Sequence, residues 1–275
     1  MPDNDYTYKV VDGEAILTRY TGKNMCVKIP AEIDGYPVTG LHSTFANHYG
    51  IKEVIVPGSV KTLTLAFDYC QGLEKIELSK GLVEINFWSF RECRSLKELV
   101  IPETVKTIMG NCFEMCGIEK IHIPDTIEDI DQLPQRVTNF EEPFIKNGNL
   151  LYVPKDIVSY EIPYGVKRIC INAFANCQKL EQVIIPDTVK DICYDAFREC
   201  SSLHSVRVPD SVEMLDMGVF GYCTALEEIV LPSKLEIIKS FTFNKCTKLK
   251  SVRLSRKTQV EQFAFCDSTE IIYVD

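Results

Sequence analysis

Twelve cysteines and four histidines are the residues of this chain with the chemistry for metal binding, thiol exchange or proton transfer. A zinc site needs such donors in closely spaced pairs brought together by the fold. Cys112 and Cys116 form C-x-x-x-C, but no second Cys or His pair stands at a matching spacing. His42, His48, His122 and His204 are scattered, and no H-E-x-x-H, paired C-x-x-C, G-x-S-x-G, glycine-rich phosphate loop or EF-hand spacing occurs. The residues therefore point to no catalytic group, no cofactor and no metal, so the chain is not read as an enzyme. A constellation assembled from distant segments is the one catalytic alternative left open. Disulfides are the other chemistry that many cysteines suggest, but this chain is much longer than the small secreted domains that depend on them.

A period explains the cysteines better. Phe45, Phe67, Phe90 and Phe113 recur at 22 or 23 residues, as do Phe174, Phe197, Phe220, Phe243 and Phe265. Three residues after these come Cys70, Cys93, Cys116, Cys177, Cys200, Cys223 and Cys246, with His48 in the same slot of the first repeat. Each unit reads F-x-x-C-x-x-L-x-x-V-x-I-P-x-x-V-x-x-I. The V-x-I step has the two-residue period of a strand, and the proline after it ends the strand because it cannot donate a ladder hydrogen bond. One short strand per unit cannot bury its apolar side alone, so the units must stack, and the in-phase cysteines become buried free thiols. Cys26, Cys112, Cys170, Cys193 and Cys266 are out of phase.

The signature appears as AFANCQKLEQVIIPDTVKDI (173–192), AFRECSSLHSVRVPDSVEML (196–215) and SFRECRSLKELVIPETVKTI (89–108). This pattern closely resembles the BspA-type, or treponemal-type, leucine-rich repeat from residue 25 onward. The resemblance implies a mainly β repeat solenoid: a right-handed leucine-rich-repeat superhelix with a parallel sheet. Strand-ending Pro or Ser at 30, 57, 79, 102, 124, 163, 186, 209, 232 and 255 gives about ten coils. Asp12-Gly13 in residues 6–20 marks an N-terminal hairpin cap over residues 1–24. The first repeat block runs over 25–130. The period lapses in an irregular insert, 131–161, where Asn147-Gly148 marks a second hairpin expected to bulge from the solenoid. A second block follows over 162–266, and 267–275 ends a single domain, with IIYVD as its only evident end protection. A domain boundary within the insert is the alternative.

Thirty basic and 39 acidic residues leave a net charge of −9, which argues against a duplex nucleic-acid binder. No window approaches the ~18 apolar residues of a membrane span, and no signal segment is visible. As written the chain is placed in the cytoplasm, or at the cell surface or outside if a targeting segment is missing. The outward strand positions line up as Glu53, Lys75, Glu98 and Lys120 in one column and Ile55, Glu77, Val100 and His122 in the next, with Ile184, Arg207, Val230 and Arg253 in the later repeats. Such columns serve either solubility or a partner, and the candidate contacts are Glu53, Lys75, Glu98, Lys120, His122, Arg207 and Arg253. Phe87 and Trp88 are a further candidate hot spot, since other repeats place Asn, Asp or Gly in the Trp88 slot; packing beneath the inserted hairpin is the alternative. The reading is a non-catalytic module, monomeric or weakly self-associating, that recognises a protein or a glycan. The resemblance implies a bacterial or protist protein and a host or matrix protein as partner. A structural, self-associating solenoid is the alternative function.

Overall fold

Every period breaks into two short strands and a turn, and a computed structural model shows what each segment buries. It describes residues 5–137 and 140–274. Residues 1–4, Thr138, Asn139 and Asp275, the last of them part of the IIYVD segment, lie outside the described residues. No helix forms among the described residues. The chain divides into two compact units, Met1–Asn139 and Phe140–Asp275, and both are β-solenoids of parallel rungs.

In the V-x-I strands the pleat sorts residues as the period demands. Leu99, Ile121, Val183 and Val206 are buried, whereas Glu98, Val100, Gln182 and Ile184 face out. Where these strands pair, parallel register joins each residue to its equivalent one period on, as in Glu53 to Lys75 and Ser205 to Glu228, but the ladder is interrupted, so that in the second unit it consists of strand pairs. The second, shorter strands form their own ladder, with Ile85 next to Ile108 and Ile108 next to Ile130. The third side is not a sheet, yet its backbone is satisfied in the same way: Phe67 N–H bonds the Ser89 carbonyl, and Phe197 N–H that of Val219.

The core is made of ladders. Phe45, Phe67, Phe90 and Phe113 are fully buried and stacked at 5.4, 5.6 and 6.1 Å between ring centres. In the second unit Phe174, Phe197, Phe220, Phe243 and Phe265 stack at 4.5, 5.3, 5.6 and 5.0 Å. The cysteine slot does more than fill space. Cys93 Sγ donates to the Phe67 carbonyl at 3.1 Å, and Cys223 Sγ to that of Phe197 at 3.1 Å. The same two carbonyls also accept the N–H of Cys70 and Cys200 from their own coils. A carbonyl has two lone pairs, and the thiol of the next coil occupies the second. None of the twelve cysteines is in a disulfide, and nine are buried; burial pushes the Cys70, Cys116, Cys177 and Cys246 thiols up to about 12.

Both hairpins belong to the ladders. The strand Glu14–Tyr20 pairs antiparallel with Tyr6–Val11 and parallel with Tyr36–His42, so it is the first rung of its unit. Asn149–Tyr152 does the same in the second unit, antiparallel to Phe144–Lys146 and parallel to Arg168–Ile169. The insert therefore does not bulge from the repeats; it starts a ladder as the N-terminal hairpin does. Both turns carry left-handed residues, Asp12 at φ 51° with Gly13 at 79° and Asn147 at 50° with Gly148 at 79°. Counting these rungs raises the expected ten coils to about twelve.

Candidate recognition surface

Two faces expose side chains that a partner could touch. On the strand face of the first unit the charges largely satisfy one another. Lys75 Nζ reaches Glu53 at 2.7 Å, and His122 Nε2 lies 3.2 Å from Glu98, which sits in register with Lys120. Lys120 itself makes no ion pair among the described residues. The same rule holds away from the candidate columns: Lys97–Glu119, Lys190–Glu213 and Lys248–Glu227 each join residues about one period apart. Exposed pairs of this kind contribute only ~0–1 kcal/mol each, so their main effect is to neutralise the surface locally.

The strand face of the second unit differs. Arg207 and Arg253 are exposed and take no side-chain hydrogen bond or ion pair among the described residues. Arg207 is in register with Val230, and Arg253 with Ile272. Ile184, Val230 and Ile272 on the same column are 52%, 44% and 37% exposed. Cations thus alternate with exposed aliphatic side chains along one line. A groove of about 670 Å³ lies beside Val230 and Arg253, and one of about 300 Å³ beside Ile184 and Arg207.

The turn face holds the residues that sequence reasoning read least well. Trp88 has φ 53°, and its slot, two before the ladder Phe, is left-handed in every repeat: Ser43, Leu65, Trp88, Asn111, Asn172, Asp195, Gly218, Phe241 and Phe263. The slot two after the Phe is left-handed as well, from Asn47 and Tyr69 to Tyr222 and Lys245. Asn, Asp and Gly recur before the Phe because they tolerate this backbone, not because the slot is exposed; Asn172 and Asp195 are in fact buried. Trp88 is 37% exposed beside Phe87 at 61%. The Arg91 guanidinium lies 3.9 Å from the Trp88 ring centre and 4.9 Å from that of Tyr69. Two bonds to Asp68, at 2.7 and 2.8 Å, hold it there and keep it protonated. Phe87 packs over Gly110, where an added Cβ would come within 2.6 Å of its ring. Phe241 and Phe263 form a second exposed pair, stacked at 5.8 Å, which the period could have disclosed because both occupy the Trp88 slot.

Comparison with known proteins agrees with this geometry. The BspA type leucine-rich repeat region, in six copies, matches residues 41–138 and 146–272. The chain belongs to the BspA-type leucine-rich repeat family. Among solved structures, this BspA-type chain is similar to a leucine-rich repeat protein from Eubacterium ventriosum, with 17% identity and a TM-score of 0.70 over 95% of this chain and 80% of that one. It is similar as well to a leucine-rich cell surface protein from Faecalibacterium prausnitzii, at 22% identity and a TM-score of 0.53, covering 97% and 85% of the two chains. The pneumococcal vaccine antigen PcpA matches at 19% identity and 0.57, over 88% and 72%. At these identities the likeness is one of fold. No curated protein matches the BspA-type chain. Among its described residues no helix is long and apolar enough to cross a membrane.

Proposed function

We propose that this BspA-type protein is a non-catalytic recognition module that binds a protein partner through the strand face of its second unit. One observation carries the reading: Arg207 and Arg253, with no ion pair among the described residues, stand between exposed Ile184, Val230 and Ile272, so that cationic and aliphatic side chains share one column. Arginine among aliphatic side chains is the composition of a protein interface, and an unpaired cation steers an acidic partner. The Lys75–Glu53 and Glu98–His122 pairs of the first unit are better suited to keeping that face soluble. The cell surface protein and the vaccine antigen of similar fold support a site of action outside the cell.

The test is selection of random displayed peptides on the intact chain, with counter-selection on the double variant Arg207→Glu/Arg253→Glu and a glycan array run in parallel. Peptides that bind the chain and lose at least ~tenfold affinity on the double variant support the strand face. Binders indifferent to that variant but lost on Trp88→Ala move the site to the turn face. Glycan binding without peptide binding replaces the protein partner by a sugar.

A further inference from the structure

We infer that the partner presents an amphipathic α-helix laid along the stack, carrying a stripe in which acidic and apolar side chains alternate. This deepens the preceding reading and rests on the second unit's strand face being the recognition surface.

The argument is one of period. Along the column Ile184, Arg207, Val230, Arg253 and Ile272, apolar and cationic side chains alternate coil by coil. The strands of Arg207 and Val230, and those of Arg253 and Ile272, are hydrogen-bonded neighbours ~4.8 Å apart, whereas those of Ile184 and Arg207 and of Val230 and Arg253 are adjacent without a ladder and stand at least that far apart, so like residues recur at ~10 Å and the column is ~20 Å long. An α-helix rises 1.5 Å per residue, so positions three or four apart advance ~4.5–6 Å and a heptad advances ~10.5 Å. Apolar residues at one heptad position and acidic residues three or four later therefore meet Val230 and the two arginines in turn, and ~13 residues cover the column. An extended segment does not fit. Its same-face side chains recur every ~6.8 Å, which does not match the ~10 Å repeat.

Charge selects the helix further. The adjoining column bears Glu228 and Glu270, each on the same face of its strand as Val230 and Ile272. A helix acidic all round would be repelled there, so its acids are confined to the stripe above Arg207 and Arg253. The first unit also alternates apolar and polar residues, through Ile55, Glu77, Val100 and His122, but its polar members are a carboxylate and an imidazole and offer no such stripe. A second copy is a poor occupant: column against column would set arginine against arginine or against an aliphatic side chain.

The probe is a side-chain-stapled, fluorescein-labelled peptide of about 18 residues with Leu-x-x-Glu-x-x-x heptads, titrated by anisotropy against the intact chain. Binding is expected to weaken at least ~tenfold on Arg207→Glu/Arg253→Glu, to weaken on the neutral Arg207→Gln/Arg253→Gln variant, and to fall with added salt. Both variants are checked for an unchanged circular dichroism spectrum and melting profile. A version with Glu replaced by Lys and one broken by two prolines are expected not to bind. Failure of the helical peptide to bind, or equal binding of the proline-broken one, overturns the helical partner. Indifference to both arginine variants overturns it too. Display-selected peptides that need both arginines but no helix would keep the recognition surface and refute only the helix. A chain that dimerises in light scattering and loses the dimer on arginine reversal would replace the helix by a second copy.

Discussion

Asp195 offers the sharpest quantitative test of the slot-by-slot reading. It occupies the left-handed position before Phe197, at φ 53°, and is 7% exposed. Its Oδ1 lies over Gly218 of the next coil, where an added Cβ would come within 2.1 Å. Burial pushes its carboxyl up from 3.8 to about 6; Arg198, 3.9 Å away, and Tyr194 offset this only in part, and Glu199 and Asp216 add to the rise. With the folded value above the unfolded one, the penalty is absent below the unfolded pKa, grows as pH rises between the two values, and is complete above the folded one. A shift from 3.8 to about 6 corresponds to ~3 kcal/mol at pH 8 and roughly half of that at pH 5. Asp195→Asn removes the charge and keeps a side chain that the equivalent slots accept as Asn111 and Asn172, at φ 57° and 59°. Urea denaturation followed by circular dichroism should find the variant more stable by up to ~3 kcal/mol at pH 8, with the gap roughly halved at pH 5. A gap that is absent, or that does not change between the two pH values, refutes the buried, proton-hungry carboxylate.

Phe197→Ala, which empties a fully buried site stacked between Phe174 and Phe220, should cost ~3–5 kcal/mol in denaturant melts, and a loss below ~1 kcal/mol would contradict the interior ladder. A thiol reagent at pH 8 should label Cys26 first, then the half-buried Cys193 and Cys266, and reach the nine buried cysteines only after denaturation; mass spectrometry of native protein showing ready labelling of Cys70 or Cys246 would rule out their burial. Met115 sits at φ 52° and is 56% exposed, so Met115→Asn should raise stability by ~1 kcal/mol in the same melts, and a clear loss would mean that the methionine is held by contacts its exposure does not suggest.

The stack was legible from Phe, Cys, Leu, Val and Pro because every coil buries the same positions against its neighbours, and that repeated burial prints a period on the sequence. Phe197, Cys200, Leu203 and Val206 all lie inside, where the pattern puts them. The reason for cysteine was not legible, since only the tertiary structure brings the Cys223 thiol to the Phe197 carbonyl one coil away. The left-handed slots were hidden too: a backbone angle leaves its mark only as a scatter of Asn, Asp and Gly, which Trp88, Phe241 and Phe263 interrupt. Charge pairing escaped the sequence for a geometric reason. Register places Lys75 beside Glu53, but whether a long side chain reaches its neighbour, as Lys75 does, or stays free, as Arg207 and Arg253 do, is decided by rotamers and by what stands opposite. The two hairpins joined their ladders through backbone hydrogen bonds, which carry no side-chain signature, so only the folded chain shows Asn149–Tyr152 as a first rung.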